Sequence, residues 1–167
     1  MDIKKITRAG LIAGIYIILV FIQLLPGVTS GLVFGPVQLR IAEGLTILPF
    51  FDTAAIPGLF IGCLLSNLII APYAGFGYID IIGGSLVTLL AAYFSSKMKN
   101  KYLAMLPPIV LNAVIVSLWV SYFSNIPYLM VVLGIGLGQT ISVLLFGSIV
   151  SKVYEKVLID KEYNNIK

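Results

Sequence analysis

Long apolar runs, broken by short polar or glycine- and proline-bearing stretches, divide the chain into six segments. A membrane-crossing helix needs about 20 apolar residues, within a range of roughly 17–25. Residues 9–25 fit that length and are stopped by Pro26 and Gly27. A glycine-rich loop, 27–35, follows. Pro36 is placed to open a second, shorter helix over 37–51, because proline is tolerated in a first helical turn. Pro49 weakens its far end by removing a backbone donor. Asp52 and Thr53 make a turn and can cap a third helix, 54–70. The loop 71–77 leads to a fourth helix, 78–96. The charged linker 97–101 precedes a fifth, 102–123. The turn 124–127 precedes a sixth, 128–154, which runs into a polar tail. The pattern predicts an all-α integral membrane protein, six transmembrane helices in one compact bundle, with residues 1–167 as a single membrane domain. The second helix is the least regular, and its mixed pattern also suits a re-entrant segment.

Composition supports the membrane reading. Of 167 residues, 59% are hydrophobic and 11% charged, with mean hydropathy +1.06. A soluble domain carries about 25% charged residues. The pI of 9.2 does not signal nucleic acid, because the basic residues sit at the ends and in one short connection. Lys4, Lys5 and Arg8 precede the first helix, Lys97, Lys99 and Lys101 join the fourth to the fifth, and Lys152, Lys156, Lys161 and Lys167 end the chain. With six spans all three groups fall on one side, which the positive-inside rule makes the cytoplasm. Both termini are then cytoplasmic and the expected location is the cell membrane. Arg40 is the basic residue left over.

Several chemistries find no residues to carry them. There is no histidine, so the common general base and the usual zinc ligand are missing. Cys63 is the only cysteine and suits packing. No P-loop occurs, and the GIGLG run at 134–138 has neither the spacing nor the strand of a phosphate loop. The expectation is a non-enzyme with no cofactor and no metal. The basic start resembles a signal peptide, but no cleavage pattern follows, so a retained helix is expected. Ala9/Ala13, Gly10/Gly14, Gly58/Gly62/Ser66 and Gly134/Gly138 are small residues four apart, which allow close helix approach.

The polar residues gather in the outer half of the expected bundle. At 1.5 Å per residue, Arg40 and Glu43 lie about 6–10 Å into the second helix. Asp80 sits just inside the outer end of the fourth, with Gly84 and Thr88 on its face. Asn67 is near the outer end of the third, Trp119 and Tyr122 near that of the fifth, and Asn112 and Gln139 are deeper. Phe34, Phe76 and Tyr78 are aromatics at the outer loops. The pattern is a blind pocket open to the outside, since a pore needs polar groups through the full depth. Blander readings stand beside it. Arg40 and Glu43, at i and i+3, can neutralise each other, Asp80 can cap a helix, Asn67, Asn112 and Gln139 can bond between helices, and Trp119 can belong to an interfacial belt. The three outer charges sum to minus one, which suits a neutral or cationic ligand rich in donors. A planar, amine-bearing heterocycle stacked on aromatics fits, as do other ligands.

The runs GPVQLRIAEGLTILPFF (35–51), DTAAIPGLFIGCLLSNL (52–68) and GYIDIIGGSLVTLLAAY (77–93) resemble the QueT family, queuosine-precursor transporters among the substrate-binding S components of energy-coupling factor (ECF) transporters. The resemblance extends over nearly the whole chain. It implies a six-helix protein that binds a micronutrient near the outer surface and docks on an ECF module, a transmembrane coupling protein with two ATP-binding subunits. The S component then topples in the membrane and releases its ligand inside. It implies a docking motif Ala-x-x-x-Ala, matched by Ala9 and Ala13 with Gly10 and Gly14 beside them, and a ligand cover in the 27–35 loop. The implied cargo is a 7-deazaguanine: the aminomethyl or cyano compound, or queuine. The roles within the pocket come from depth and charge. Glu43 and Asp80 are candidates for the ligand's donor edge or amine. Arg40, Asn67 and Gln139 are candidates for its acceptors or for holding the carboxylates, with Phe34, Tyr78, Asn112 and Trp119 completing the lining. An S component for another vitamin or nucleobase is the alternative. A stand-alone channel or exporter is a weaker one, and a membrane enzyme weaker still.

Overall fold

The computed structural model describes residues 2–25 and 39–166, with side chains for all of these except Tyr73, Ala74 and residues 158–166. Every regular element among the described residues is helical. Five helices are long and apolar enough to cross a membrane. These are α1 (Ile3–Leu24), α3 (Ala55–Ala74), α4 (Gly77–Ser95), α5 (Lys101–Ser124) and α6 (Tyr128–Ile166). Between α1 and α3 lies the shorter α2, Ile41–Phe51. It is a 3-10 helix over Ile41–Ile47 and an α-helix over Leu48–Phe51.

The ends differ from the sequence pattern for identifiable reasons. Of the second segment, residues 37–38 lie outside the described residues. The helix proper begins at Ile41 because Arg40 is extended, at φ −122° and ψ 110°. The backbone there bonds to side chains of other helices instead of its own turn. Asp52 holds the turn before the next helix, Oδ1 accepting from Ala54 N at 2.9 Å, while the helix itself starts at Ala55 with no side-chain cap. α3 continues past residue 70 and carries Pro72 within it. It stops at Gly75, whose φ of 73° is the left-handed conformation glycine adopts without strain. Asn100 starts α5 by accepting from Leu103 N at 2.8 Å. The polar tail continues α6 as helix to Ile166.

Glycine sets the closest approaches. A Cβ on Gly58 would lie 2.7 Å from Ala9 O, and one on Gly62 2.8 Å from Tyr16 Cβ. Ala9 and Ala13 are accordingly buried against α3, while nothing stands within 4 Å of the Cβ positions of Gly10 and Gly14. The same device seats α2 on α6, where a Cβ on Gly44 would meet Phe146 Cβ at 2.5 Å. Tyr16, Leu45, Leu59 and Cys63 pack between α1, α2 and α3. Trp119, Val131 and Ile135 pack between α5 and α6, and Ile47, Met105 and Val143 join α2 to both.

The outer faces expose large apolar side chains all round, including Leu11, Ile18, Leu68, Leu118, Leu137 and Leu145. Water would not tolerate that area, and a lipid bilayer would. One end of the bundle is tied by charge. Arg8 Nη1 meets Asp52 Oδ2 at 2.6 Å, Tyr154 donates to the same oxygen at 3.3 Å, and Lys101 Nζ meets Glu155 Oε1 at 2.9 Å. These contacts bring the start of α1, the α2–α3 turn, the start of α5 and the late part of α6 to one end.

Candidate functional site

The opposite half holds the buried carboxylates that no cation pairs with among the described residues. A 3-10 helix has three residues per turn, so side chains at i and i+3 eclipse. Glu43 and Thr46 therefore share a face, with Arg40 just ahead of them. Glu43 is only 2% exposed. Its Oε1 accepts a 2.8 Å hydrogen bond from Tyr16 OH of α1, itself 1% exposed. Its Oε2 is buried with no hydrogen-bond partner among the described residues. Seven residues along α1, on the same helix face, the buried Gln23 donates from Nε2 to Leu39 O and accepts from Ile41 N at 2.9 Å. Arg40 N, between them, donates to Ser142 Oγ of α6 at 3.0 Å. Three consecutive backbone positions are thus pinned by side chains of α1 and α6. The Arg40 side chain is half-buried and shares a cavity wall with Tyr16.

A second group joins α3, α4 and α5. Residues Asp80–Gly84 of α4 form a π-helical turn, a wider coil often found at functional sites. Within it Asp80 is buried, and its Oδ1 accepts from Trp119 Nε1 at 3.1 Å. Asn67 Nδ2 donates to Asp80 O at 3.0 Å. A Cβ on Gly84 would lie 3.0 Å from Asn67 Nδ2, and one on Gly83 would lie 3.4 Å from the Trp119 ring. Both glycines therefore leave room for the group to close on α4. Thr88 donates to Gly84 O at 3.0 Å, and its Oγ1 lies 3.4 Å from Cys63 Sγ. Between the two groups lies a cavity lined by Tyr16, Val20, Gln23, Arg40, Asn67 and Ile70, with about 10 Å³ of free space. That is room for roughly one water molecule. A ring-sized ligand must push these side chains or helices apart.

The structure thus brings Arg40, Glu43, Asn67, Asp80 and Trp119 into one half of the bundle, and of these Arg40 and Asn67 line that cavity. Gln139 is also buried, on the face of α6 that carries Ser142, and its Oε1 lacks a partner among the described residues. Asn112 spends its amide on Pro108 O of its own helix at 2.8 Å. Tyr78 stands apart, 81% exposed, as does Tyr122. Phe34 and the 27–35 loop lie outside the described residues. One expectation is corrected. Arg40 precedes the second helix rather than lying inside it, and its extended backbone goes with the absence of an Arg40–Glu43 ion pair among the described residues. Trp119, a candidate for the pocket lining with an interfacial belt as the blander reading, is buried against α4. Tyr16, Gln23 and Ser142 escaped the reading of polar depth. A tyrosine and a glutamine seven apart in an otherwise apolar helix were their signal.

A family profile described as QueT transporter matches residues 6–156. The chain belongs to the QueT transporter family. With five long apolar helices, this QueT-family chain is a multi-pass membrane protein. It is 34% identical over 85 residues to a Lactococcus lactis subsp. cremoris (strain MG1363) protein named "Queuosine precursor transporter QueT". The match covers 51% of this chain and 45% of that relative, so the chain meets about half of the relative's length. No solved structure matches the chain. The matched stretch, residues 6–156, contains Arg40, Glu43, Asn67 and Asp80.

Proposed function

We propose that this QueT-family chain is the substrate-binding S component of an ECF-type importer and takes up a queuosine precursor, a 7-deazaguanine. The observation that carries the reading is the pair of buried carboxylates, Glu43 and Asp80, beside Arg40, in the half of the bundle opposite the basic end. Buried charge in a membrane protein is costly and is generally retained for ligands or coupling. The name of the Lactococcus relative points to the same cargo. The basic end is cytoplasmic by the positive-inside rule, which sets both termini inside and the carboxylates toward the outside. α2 is then the sixth helix of the bundle, too short to span and held between α1 and α6.

In this reading the carboxylates accept from the N–H edge and the amine of the ligand. Arg40 and the amides of Asn67 and Gln139 serve its acceptor atoms. ATP is hydrolysed on the partner subunits, and docking tips the S component so that the site opens inward. Ala9 and Ala13 are spent on α3, so the open strip for a coupling helix is Gly10 and Gly14, with the alanines bracing it from behind.

The test is calorimetry on the purified full chain in detergent, with 7-aminomethyl-7-deazaguanine, 7-cyano-7-deazaguanine, queuine, purines and several vitamins. Binding confined to the deazaguanines is the expected result. Preference for a vitamin or an ordinary nucleobase would assign another cargo, and heat from none of them would remove the proposal. Co-purification with a coupling protein and two ATPases tests the partner half separately.

A further inference from the structure

Glu43 is the one acidic side chain whose carboxylate oxygen is buried without a partner among the described residues. Its other oxygen is held by Tyr16. We infer that Tyr16 is a specificity-determining positioning residue of the ligand site. By holding Oε1 it fixes the plane of the Glu43 carboxylate and leaves Oε2 aimed at a ring N–H that stands beside an exocyclic amine. The inference rests on the deazaguanine reading above and names the feature of the ring that is selected.

The geometry gives Tyr16 little freedom. Its Cβ lies so close to the Gly62 backbone that a methyl there would sit 2.8 Å away. Its ring belongs to the packed cluster with Leu45, Leu59 and Cys63. Gly62, Tyr16 and Glu43 therefore form a stiff chain from α3 through α1 to α2. A carboxylate only accepts, so the missing partner of Oε2 is a donor. Oε1 retains a second lone pair beyond the one Tyr16 uses. A guanine-type edge, with a ring N–H and an adjacent amine, offers two parallel donors that match the two oxygens. A hypoxanthine-type edge lacks the amine. An adenine-type edge places a ring acceptor against the carboxylate, and the two repel. Discrimination of this kind needs a carboxylate that cannot turn away, and Tyr16 supplies that restraint.

The experiment uses the full chain in detergent, titrated with 7-deazaguanine, 7-deazahypoxanthine and 7-deazaadenine, beside melting curves. The wild type should prefer 7-deazaguanine. Losing a hydrogen bond to a charged group, Tyr16→Phe should cut that preference about tenfold, and should lower the melting temperature, because the buried Glu43 carboxylate then has neither oxygen partnered. Glu43→Asp, which withdraws the carboxylate from Tyr16 and keeps its charge, should do the same and decides the matter if Tyr16→Phe does not fold. In a Glu43→Gln background Tyr16→Phe should have no further effect on selectivity. An intact preference in both single variants, or one equal loss for all three ligands, overturns the role given to Tyr16 while leaving the deazaguanine reading in place. A wild type that binds none of the three overturns both.

Discussion

The two ends of the bundle use charge in opposite ways. At the basic end, Arg8 meets Asp52 and Lys101 meets Glu155, each pair partly open to solvent. Those bonds join helices, and ion pairs that stay open to solvent on one side or both add little to stability. At the other end Glu43 and Asp80 are buried, Arg40 is half-buried, and no ion pair among the described residues joins them. Their partners are Tyr16 and Trp119, neutral groups that each satisfy one carboxylate oxygen. At the first end every charged group named here has its partner. The second has hydrogen-bonding capacity left over, at Glu43 Oε2 and Gln139 Oε1. Incomplete satisfaction in a low-dielectric interior is costly for folding, and a donor-rich ligand removes the cost.

The contrast predicts that changes at the two ends separate binding from stability. The largest effect is expected from Glu43→Gln with Asp80→Asn. Each replacement keeps the shape and removes a charge-assisted acceptor, so deazaguanine affinity should fall roughly 100-fold or more. The melting temperature should hold or rise, because a buried charge has been deleted. A fall in stability without loss of affinity, measured by calorimetry and thermal unfolding, would reverse the assignment. Arg40→Ala comes next, with roughly tenfold weaker binding, and Arg40→Lys should recover only part of it because an ammonium lacks the planar fork. Asp52→Asn should leave affinity alone and cost about 1 kcal/mol of stability, since Arg8 and Tyr154 lose a shared acceptor. Lys101→Ala should leave the melting temperature nearly unchanged and binding unaffected. If either basic-end variant weakened binding in detergent as much as Arg40→Ala, the division between the ends would fail.

Run length made most of the helices legible in the sequence, and it misled where backbone bonding left the helix. Segments near 9–25, 54–70, 78–96, 102–123 and 128–154 all reappear, because about 20 apolar residues have few other uses. The second segment was harder. No periodicity announces that Gln23 and Ser142, from distant helices, take over the backbone bonds around Arg40. In the site, charge was the readable signal, so Arg40, Glu43 and Asp80 stood out. Neutral polar residues were ambiguous. Trp119 and Tyr122 are three apart, yet one is buried against Asp80 and the other faces outward. Tyr16 looked like one more large side chain in an apolar helix, and only the packing of α1 against Gly62 turns its hydroxyl into a partner for Glu43.

The position of Cys63 has a practical consequence. It is the only cysteine in the sequence and is buried, its sulfur in reach of Thr88 and Asn67. Asn67 lines the cavity that must widen for a ligand. The wild-type chain therefore carries its own single-site clock. The rate at which a small alkylating reagent reaches this thiol reports how often the neighbourhood of Asn67 opens, with no cysteine engineered in and none to remove. Comparing that rate with and without a deazaguanine, and with and without a coupling partner, times opening against docking in the unmodified protein.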